Sequence, residues 1–178
     1  MGWLLMLTGA LLLGGLFFGS CRLQAAGEPN QPLADFVDLD RFMGVWYVHG
    51  FTPTAIDKDA FGGTETYELS EDGKIQTTYA FRKGGPDGKA KKYRPVARIV
   101  NEETNAEWRM TFFGVIKSAY YVVYVDPNYE YTVIGHPNKR MAWVMSRETD
   151  IEESRYLELR EELVEREYDL SKFVRMEH

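Results

Sequence analysis

The residues from Gly44 to Arg147 predict an all-β domain: an eight-stranded antiparallel up-and-down barrel, followed by a C-terminal α-helix packed on its outside. Three observations predict it. From Val45 onward apolar and polar residues alternate, mostly with a period of two. Turn signals such as Glu71-Asp72-Gly73, Gly84-Gly85-Pro86-Asp87-Gly88 and Asp126-Pro127-Asn128 interrupt the alternation at short intervals and leave no helix between strands. Gly44-Val45-Trp46-Tyr47-Val48 opens the first strand and Arg147 closes the last. In a closed cylinder the Trp46 indole plugs one end, and the Arg147 guanidinium lies across its face as a cation–π cover. Gly-x-Trp alone reads first as a core tryptophan beside an ordinary glycine, and a two-sheet sandwich competes with the barrel. Closure has the advantage of leaving no free strand edge. Parity supports it: each hairpin reverses direction, so the eighth strand ends at the level where the first began.

Composition sets the bounds. The 178 residues suffice for one domain with a sizeable core. Charged residues are 27% and the formal net charge is −6, which argues against a nucleic-acid partner. Aromatics reach 14%, with 11 Tyr and 10 Phe, and suit strands or an aromatic-lined cavity. The single Cys excludes an intrachain disulfide, and its place at the end of the leader argues against a thiol enzyme.

Residues 1–20 carry no charge. Such a run is long enough for a transmembrane helix, so an uncleaved anchor and a plain secretory signal both stay open. Phe18-Gly19-Ser20-Cys21 resembles the end of a bacterial lipoprotein signal, with Phe18 where that motif usually has Leu and no Lys or Arg in the n-region. The resemblance implies cleavage before Cys21 and acylation of its thiol and new amino group, with palmitate among the chains. More than one chain gives stable membrane attachment. Arg22, rather than an inner-membrane retention Asp, then implies the outer membrane, with the domain facing the periplasm. Residues 21–37, with Gly27, Pro29 and Pro32, read as a flexible tether, and the folded domain as 38–178.

The strands follow in order at 45–52, 64–69, 74–82, 90–100, 106–113, 118–125, 129–135 and 140–147. Pro95 inside the fourth requires a bulge or an edge position. Thr149 with Glu152 reads as a capping box, and Tyr156, Leu159 and Leu163 form an apolar stripe in a helix running to about Tyr168. Tyr156, Leu157, Arg160 and Val164 follow helical spacing as well, and most other positions of that helix are Glu or Arg, so one stripe packs on the barrel and the rest meets water. Asp169 to Met176 reads as a short closing segment with Phe173 and Val174 apolar.

Taken together, several residues resemble the lipocalin family, specifically its bacterial outer-membrane lipoprotein branch related to apolipoprotein D. They are Gly44-Val45-Trp46-Tyr47, Phe112-Phe113-Gly114, Tyr120 to Asp126 with Tyr129, Gly135-His136-Pro137, Trp143 to Arg147, and Asp169-Leu170-Ser171-Lys172-Phe173. The similarity covers roughly residues 36–175; Pro127-Asn128 in a turn, and Met141 and Met145, depart from it. The resemblance implies a lipocalin barrel that binds and carries or stores a hydrophobic ligand, such as a fatty acid or lysophospholipid, in the cell envelope. It implies no cofactor, no metal and no catalytic residue. A homodimer stays open.

An eight-stranded barrel either fills with side chains or holds one small ligand. With Trp46 at the closed end, parity turns Val48 and Gly50 inward. On the fifth strand Trp108, Met110 and Phe112 alternate with Arg109 and Thr111, so the apolar set faces the cavity. On the sixth and eighth strands both faces are apolar; the resemblance favours Tyr120, Val122 and Tyr124, and Trp143 with Met145 is the expected inward pair on the eighth. Lys117, Lys139 and Arg140 stand near the loops of the open mouth, where they meet a ligand's anionic head group or simply solvent. His49 and His136 are isolated, and read as ordinary strand and loop residues rather than metal ligands. Asp57 and Asp59 are a loop pair suited to acid–base work or to plain solvation, and Lys89-Ala90-Lys91-Lys92 a small basic patch. A lipid-modifying enzyme and an interaction module with a filled barrel remain the alternatives to a carrier.

Overall fold

The computed structural model describes residues 29–178. The leader at 1–20 and Cys21 lie outside the described residues. The expected tether is held to the barrel over its described part: the Ala34 N–H donates to Val122 O at 3.0 Å and the Val37 N–H to Thr104 O at 2.8 Å. Val37 is fully buried, and apolar cover of this kind removes the freedom that Pro29 and Pro32 suggested.

A one-turn helix, α1 (Leu39–Phe42), begins where the Asp38 carboxylate accepts the N–H groups of Asp40 and Arg41. The strands then follow as β1 (Gly44–Phe51), β2 (Ala60–Leu69), β3 (Lys74–Lys83), β4 (Lys89–Tyr93), β5 (Val96–Ile99), β6 (Glu107–Phe112), β7 (Ile116–Val125), β8 (Tyr131–Gly135) and β9 (Ala142–Ser146). All neighbours are antiparallel, and β1 pairs β9 with Tyr47 opposite Ser146, which closes the cylinder. β4 and β5 are one stave of the eight, both paired to β3 and parted at Arg94-Pro95. The break falls at the proline, which has no N–H to give the ladder.

The floor is built as parity required. The Arg147 Cζ stands 3.7 Å from the Trp46 ring centroid. The same guanidinium donates to the carbonyls of Val45 at 2.7 Å, Arg41 at 2.7 Å, Phe42 at 3.1 Å, Met43 at 2.8 Å and Tyr129 at 3.2 Å. It thereby ties α1, β1 and the turn before β8 to the end of β9. Trp46 Nε1 donates to Phe42 O at 2.8 Å, so the indole is fixed by both its face and its edge. Gly44 has φ +96°, and a Cβ there would stand 3.3 Å from Arg147 Nη1; both facts call for glycine.

Two β-bulges alter the inward parity. On β1, Val48 lies opposite Met145 but Gly50 opposite Val144, so His49 is the extra residue. Gly50 therefore points out of the barrel, not into it: a Cβ there would fall 2.7 Å from Tyr156 Oη and 2.8 Å from the Phe173 ring. On β7, Val122 lies opposite Ile134 but Tyr124 opposite Val133. Val123 is the extra residue, and Tyr124 is turned outward, where Arg155 donates to its hydroxyl at 3.2 Å. The expected inward Gly50 and Tyr124 are thus both corrected, each by a single inserted residue.

After the barrel comes α2 (Glu153–Glu165), which buries Tyr156, Leu159 and Leu163 against Val123, Val133 and Val144 on the outer wall. The capping box does not form: the helix begins beyond Glu152, whose side chain caps nothing. Residues 146–148 are instead held in a turn by the Glu148 N–H donating to Ser146 Oγ at 3.2 Å and by His49 against Glu148 O at 3.1 Å. The closing segment forms β10 (Val174–Arg175), paired to β1 at Gly50 and Phe51. Here β1 and β2 part, and the C-terminal chain fills the seam: the Met176 N–H donates to His49 O at 2.9 Å and the Gly62 N–H to Glu177 O at 2.7 Å. Met176 is buried in the inner core cluster.

Replacing Arg147 removes a face-on cation and five hydrogen bonds at once, leaving partly buried carbonyls without their donor. Arg147→Leu is expected to lower the unfolding free energy by about 3 kcal/mol, read from urea midpoints; a loss under about 0.5 kcal/mol, the range of an ordinary surface change, contradicts this account of the floor.

Candidate functional site

The barrel interior divides into a filled lower half and a well above it. In the lower half Phe42, Trp46, Tyr67 and Trp108 are fully buried and joined through Phe42, whose ring centroid lies 5.1 Å from that of Trp46, 5.6 Å from Tyr67 and 5.4 Å from Trp108. Trp108 stacks on Tyr120 at 5.3 Å, and Tyr120 stacks on Trp143 at 6.3 Å. These rings form a column from the floor to the wall of the well.

The well is a cavity of about 110 Å³. Met110 and Phe112 of β6, Tyr120 of β7 and Trp143 of β9 line it, together with Met141, Tyr79, Pro95 and the loop residues Thr54 and Ile56. Val48, Trp108, Val122 and Met145 also point inward but sit in the packed core rather than on the lining. The inward sides chosen for β6 and β9 are those observed. Among the mouth cations, Lys117 lies opposite Thr111 on the outer side of its strand pair and is exposed. Lys139 pairs with Glu167 at 3.4 Å. Neither they nor Arg140 reach the lining.

The polar side of the well carries residues that strand reading did not single out. Glu65 on β2 is buried, and its Oε2 accepts from Tyr120 Oη at 3.2 Å and from Tyr67 Oη, whose hydroxyl also meets that of Tyr120. Asp57, one of the loop pair, folds back to the well. Its Oδ1 accepts the Thr54 N–H and Oγ1–H, each at 2.6 Å, and its Oδ2 accepts from Tyr79 Oη at 3.3 Å. Asp59 is exposed, so the pair does not act together. Thr77 on β3 is 3% exposed and its Oγ1 has no hydrogen-bond partner. A signal was present: Glu65 and Tyr67 share one face of β2, and a carboxylate of the same parity as a core aromatic marks a buried acid.

Burial pushes the Glu65 carboxyl up, with the Tyr67 and Tyr120 hydroxyls opposing and the Asp57 charge assisting. Burial likewise drives the Tyr67, Tyr79 and Tyr120 phenols well above their ordinary range. They remain hydroxyls at any working pH. His49 lies on the outer side beside Ser146 Oγ at 2.8 Å, and burial lowers it to about 4. Among the described residues no group of three His, Cys, Asp or Glu stands together to hold a metal ion. The well therefore offers apolar contact, hydroxyls and carboxyl groups, and no cation.

Comparison with known proteins agrees with this geometry. A family profile described as a lipocalin-like domain matches residues 37–178. Temperature-induced lipocalin-1 of Arabidopsis thaliana is 30% identical over 148 residues, covering 76% of each chain. Outer membrane lipoprotein Blc of Escherichia coli (strain K12) is 26% identical over 156 residues, covering 84% of this chain and 86% of the relative. Among solved structures, insecticyanin from the tobacco hornworm Manduca sexta superposes with a TM-score of 0.64 at 21% identity, over 83% of this chain and 84% of the other.

The two buried groups set opposite pH limits. Glu65 has a raised folded pKa, so its contribution to stability is complete below the ordinary carboxyl value and is lost as pH rises through the folded one. His49 has a depressed one, so its contribution is complete above 6.5 and lost as pH falls towards 4. Glu65→Gln keeps an oxygen for the tyrosine hydroxyls and removes the titration. It is expected to gain stability relative to the unaltered protein on going from pH 4.5 to pH 8, measured by thermal unfolding; an offset that is the same at both pH values contradicts a carboxyl held neutral by burial.

Proposed function

The chain belongs to the lipocalin family, in the branch that holds outer membrane lipoprotein Blc, and on that footing we propose that it is a carrier or store for a single-chain lipid, such as a fatty acid or lysophospholipid. The observation that carries this reading is the well itself, mainly apolar in its lining and bordered by the loop residues Thr54, Ile56 and Met141. The lipid's distal chain enters between Met110, Phe112, Tyr120 and Trp143, and its head group stays at the mouth.

Size decides how much of a chain is held. An apolar cavity of about 150 Å³ holds a benzene-sized molecule, so a 110 Å³ well takes a ring or a short run of methylenes as it stands. Five or so methylenes at about 0.8 kcal/mol each give about 4 kcal/mol, which by itself is millimolar binding. Tighter binding requires Met110 and Met141 to move aside, as unbranched thioether chains do at low cost. The chain's remaining length then lies on the exposed rim residues Phe113 and Ile116.

Outer-membrane attachment through acylated Cys21, with the barrel facing the periplasm, belongs to the same proposal; the Phe18-Gly19-Ser20-Cys21 motif and the similarity to Blc support it. The filled lower half favours one second reading, an interaction module whose cavity takes no cargo.

Trp143→Glu sets a charge on the wall of the well. It is expected to weaken binding of a fluorescent fatty acid at least tenfold while the far-ultraviolet circular dichroism is kept, the charge costing well over 1.4 kcal/mol to bury; unchanged affinity removes the well as the binding site. Cys21→Ala is expected to move the protein from the membrane to the soluble fraction, and persistent sedimentation with membranes rejects acyl anchoring.

A further inference from the structure

The polar side of the well has a form that a plain alkyl tail does not satisfy. Thr77 and Glu65 are diagonal neighbours on paired strands, since Thr77 lies opposite Tyr67 and Glu65 opposite Tyr79. Residues so related are about 7–8 Å apart at their backbones, close enough for both side chains to reach one small group between them. The other neighbours of Thr77 offer it nothing. Tyr67 spends its hydroxyl on Glu65 and Tyr120, and Pro95, whose carbonyl already accepts the Thr77 N–H at 3.0 Å, has no N–H of its own. Thr77 Oγ1 is thus a buried hydroxyl on the lining with no partner, and Glu65 has its Oε2 engaged while no described residue bonds to its Oε1.

Leaving a buried polar group unpaired costs about 1–3 kcal/mol, so the well discriminates by what it is offered. A hydroxyl both donates and accepts, and can take the hydrogen of the neutral Glu65 carboxyl while giving its own to Thr77 Oγ1. A carboxylate only accepts, so it has no hydrogen to give Thr77 Oγ1, and its charge would be buried beside Asp57 with no Lys, Arg or His on the lining to balance it. An alkyl end leaves both partners unmet.

We infer that the inner end of the well is a subsite for a neutral hydroxyl, and that the ligand is an apolar compound whose alcohol or phenol group enters first, held between Thr77 and Glu65. This deepens the reading of the well as a ligand site and rests on it. For a lipid, it means the buried end bears the hydroxyl and any anionic group stays at the mouth.

Phenol, toluene and benzoate test this directly, because they share a ring and differ in one substituent. Each is titrated into the full chain and into Thr77→Val, with binding followed by chemical shifts of the tryptophan indole N–H groups. Thr77→Val keeps the side-chain shape and removes a hydroxyl that bonds to nothing in the protein, so its melting temperature should not fall. The expected result is that phenol binds about tenfold more tightly than toluene, that benzoate binds more weakly than either, and that the phenol preference disappears in Thr77→Val. Toluene binding as well as phenol, benzoate matching phenol, or a phenol preference that survives Thr77→Val would each overturn the subsite and leave the well standing. No binding by any of the three would overturn the well as a ligand site, and the subsite with it.

Discussion

A guanidinium lying on an indole holds this barrel shut. Arg147 is the last residue of the wall to be laid down, yet it reaches back to the carbonyls of Arg41 and Val45 and covers Trp46 at 3.7 Å. An eight-stranded cylinder has two open ends, and cargo needs one of them closed without spending the interior on the seal. Trp46 and Phe42 close it from within, and Arg147 satisfies from outside the carbonyls that a short helix and a strand start would otherwise leave bare. Everything above depends on that level being fixed: the aromatic column stands on it, and the well begins where the column ends.

Strand order, closure and the Trp46–Arg147 pairing were legible because they follow from counting. A period of two, short turns and seven reversals bring Arg147 to Trp46 with no knowledge of side-chain packing. Trp108, Met110 and Phe112 were legible for the same reason, since Arg109 and Thr111 mark the opposite face. Gly50 and Tyr124 were not. Counting fails wherever one residue is inserted, and the bulges at His49 and Val123 each turn the rest of a strand over. Both bulges face the helix α2 and the closing segment, whose Tyr156, Phe173 and Arg155 occupy the space so gained. Gly50 inside a strand was the one local sign of a bulge, whereas nothing in Val122-Val123-Tyr124 announces the insertion, because Val and Tyr suit either face of a strand.

The polar side of the well was hidden for a different reason. Asp57 reads as a solvated loop residue until the loop is seen to fold inward and its carboxylate to cap Thr54. Thr77 is one threonine in a strand that holds two in succession, and only the fold brings it beside Pro95 and Tyr67, which leave it without a partner. The C-terminal seam is of the same kind. Val174 and Arg175 are too short a run to count as a strand, and they become one because β1 and β2 part and expose their ladder groups. Long-range backbone need, rather than local propensity, makes that element.

The central claim is a barrel sealed below and able to take cargo only in its upper part. Methionine methyl resonances report on both levels at once, since Met110 and Met141 line the well while Met145 is packed in the core beneath it. In a titration of the methyl-labelled protein with a saturating fatty acid, Met110 and Met141 are expected to shift and Met145 to stay in place. A shift at Met145 with none at Met110 and Met141 would put the cargo elsewhere and contradict the account.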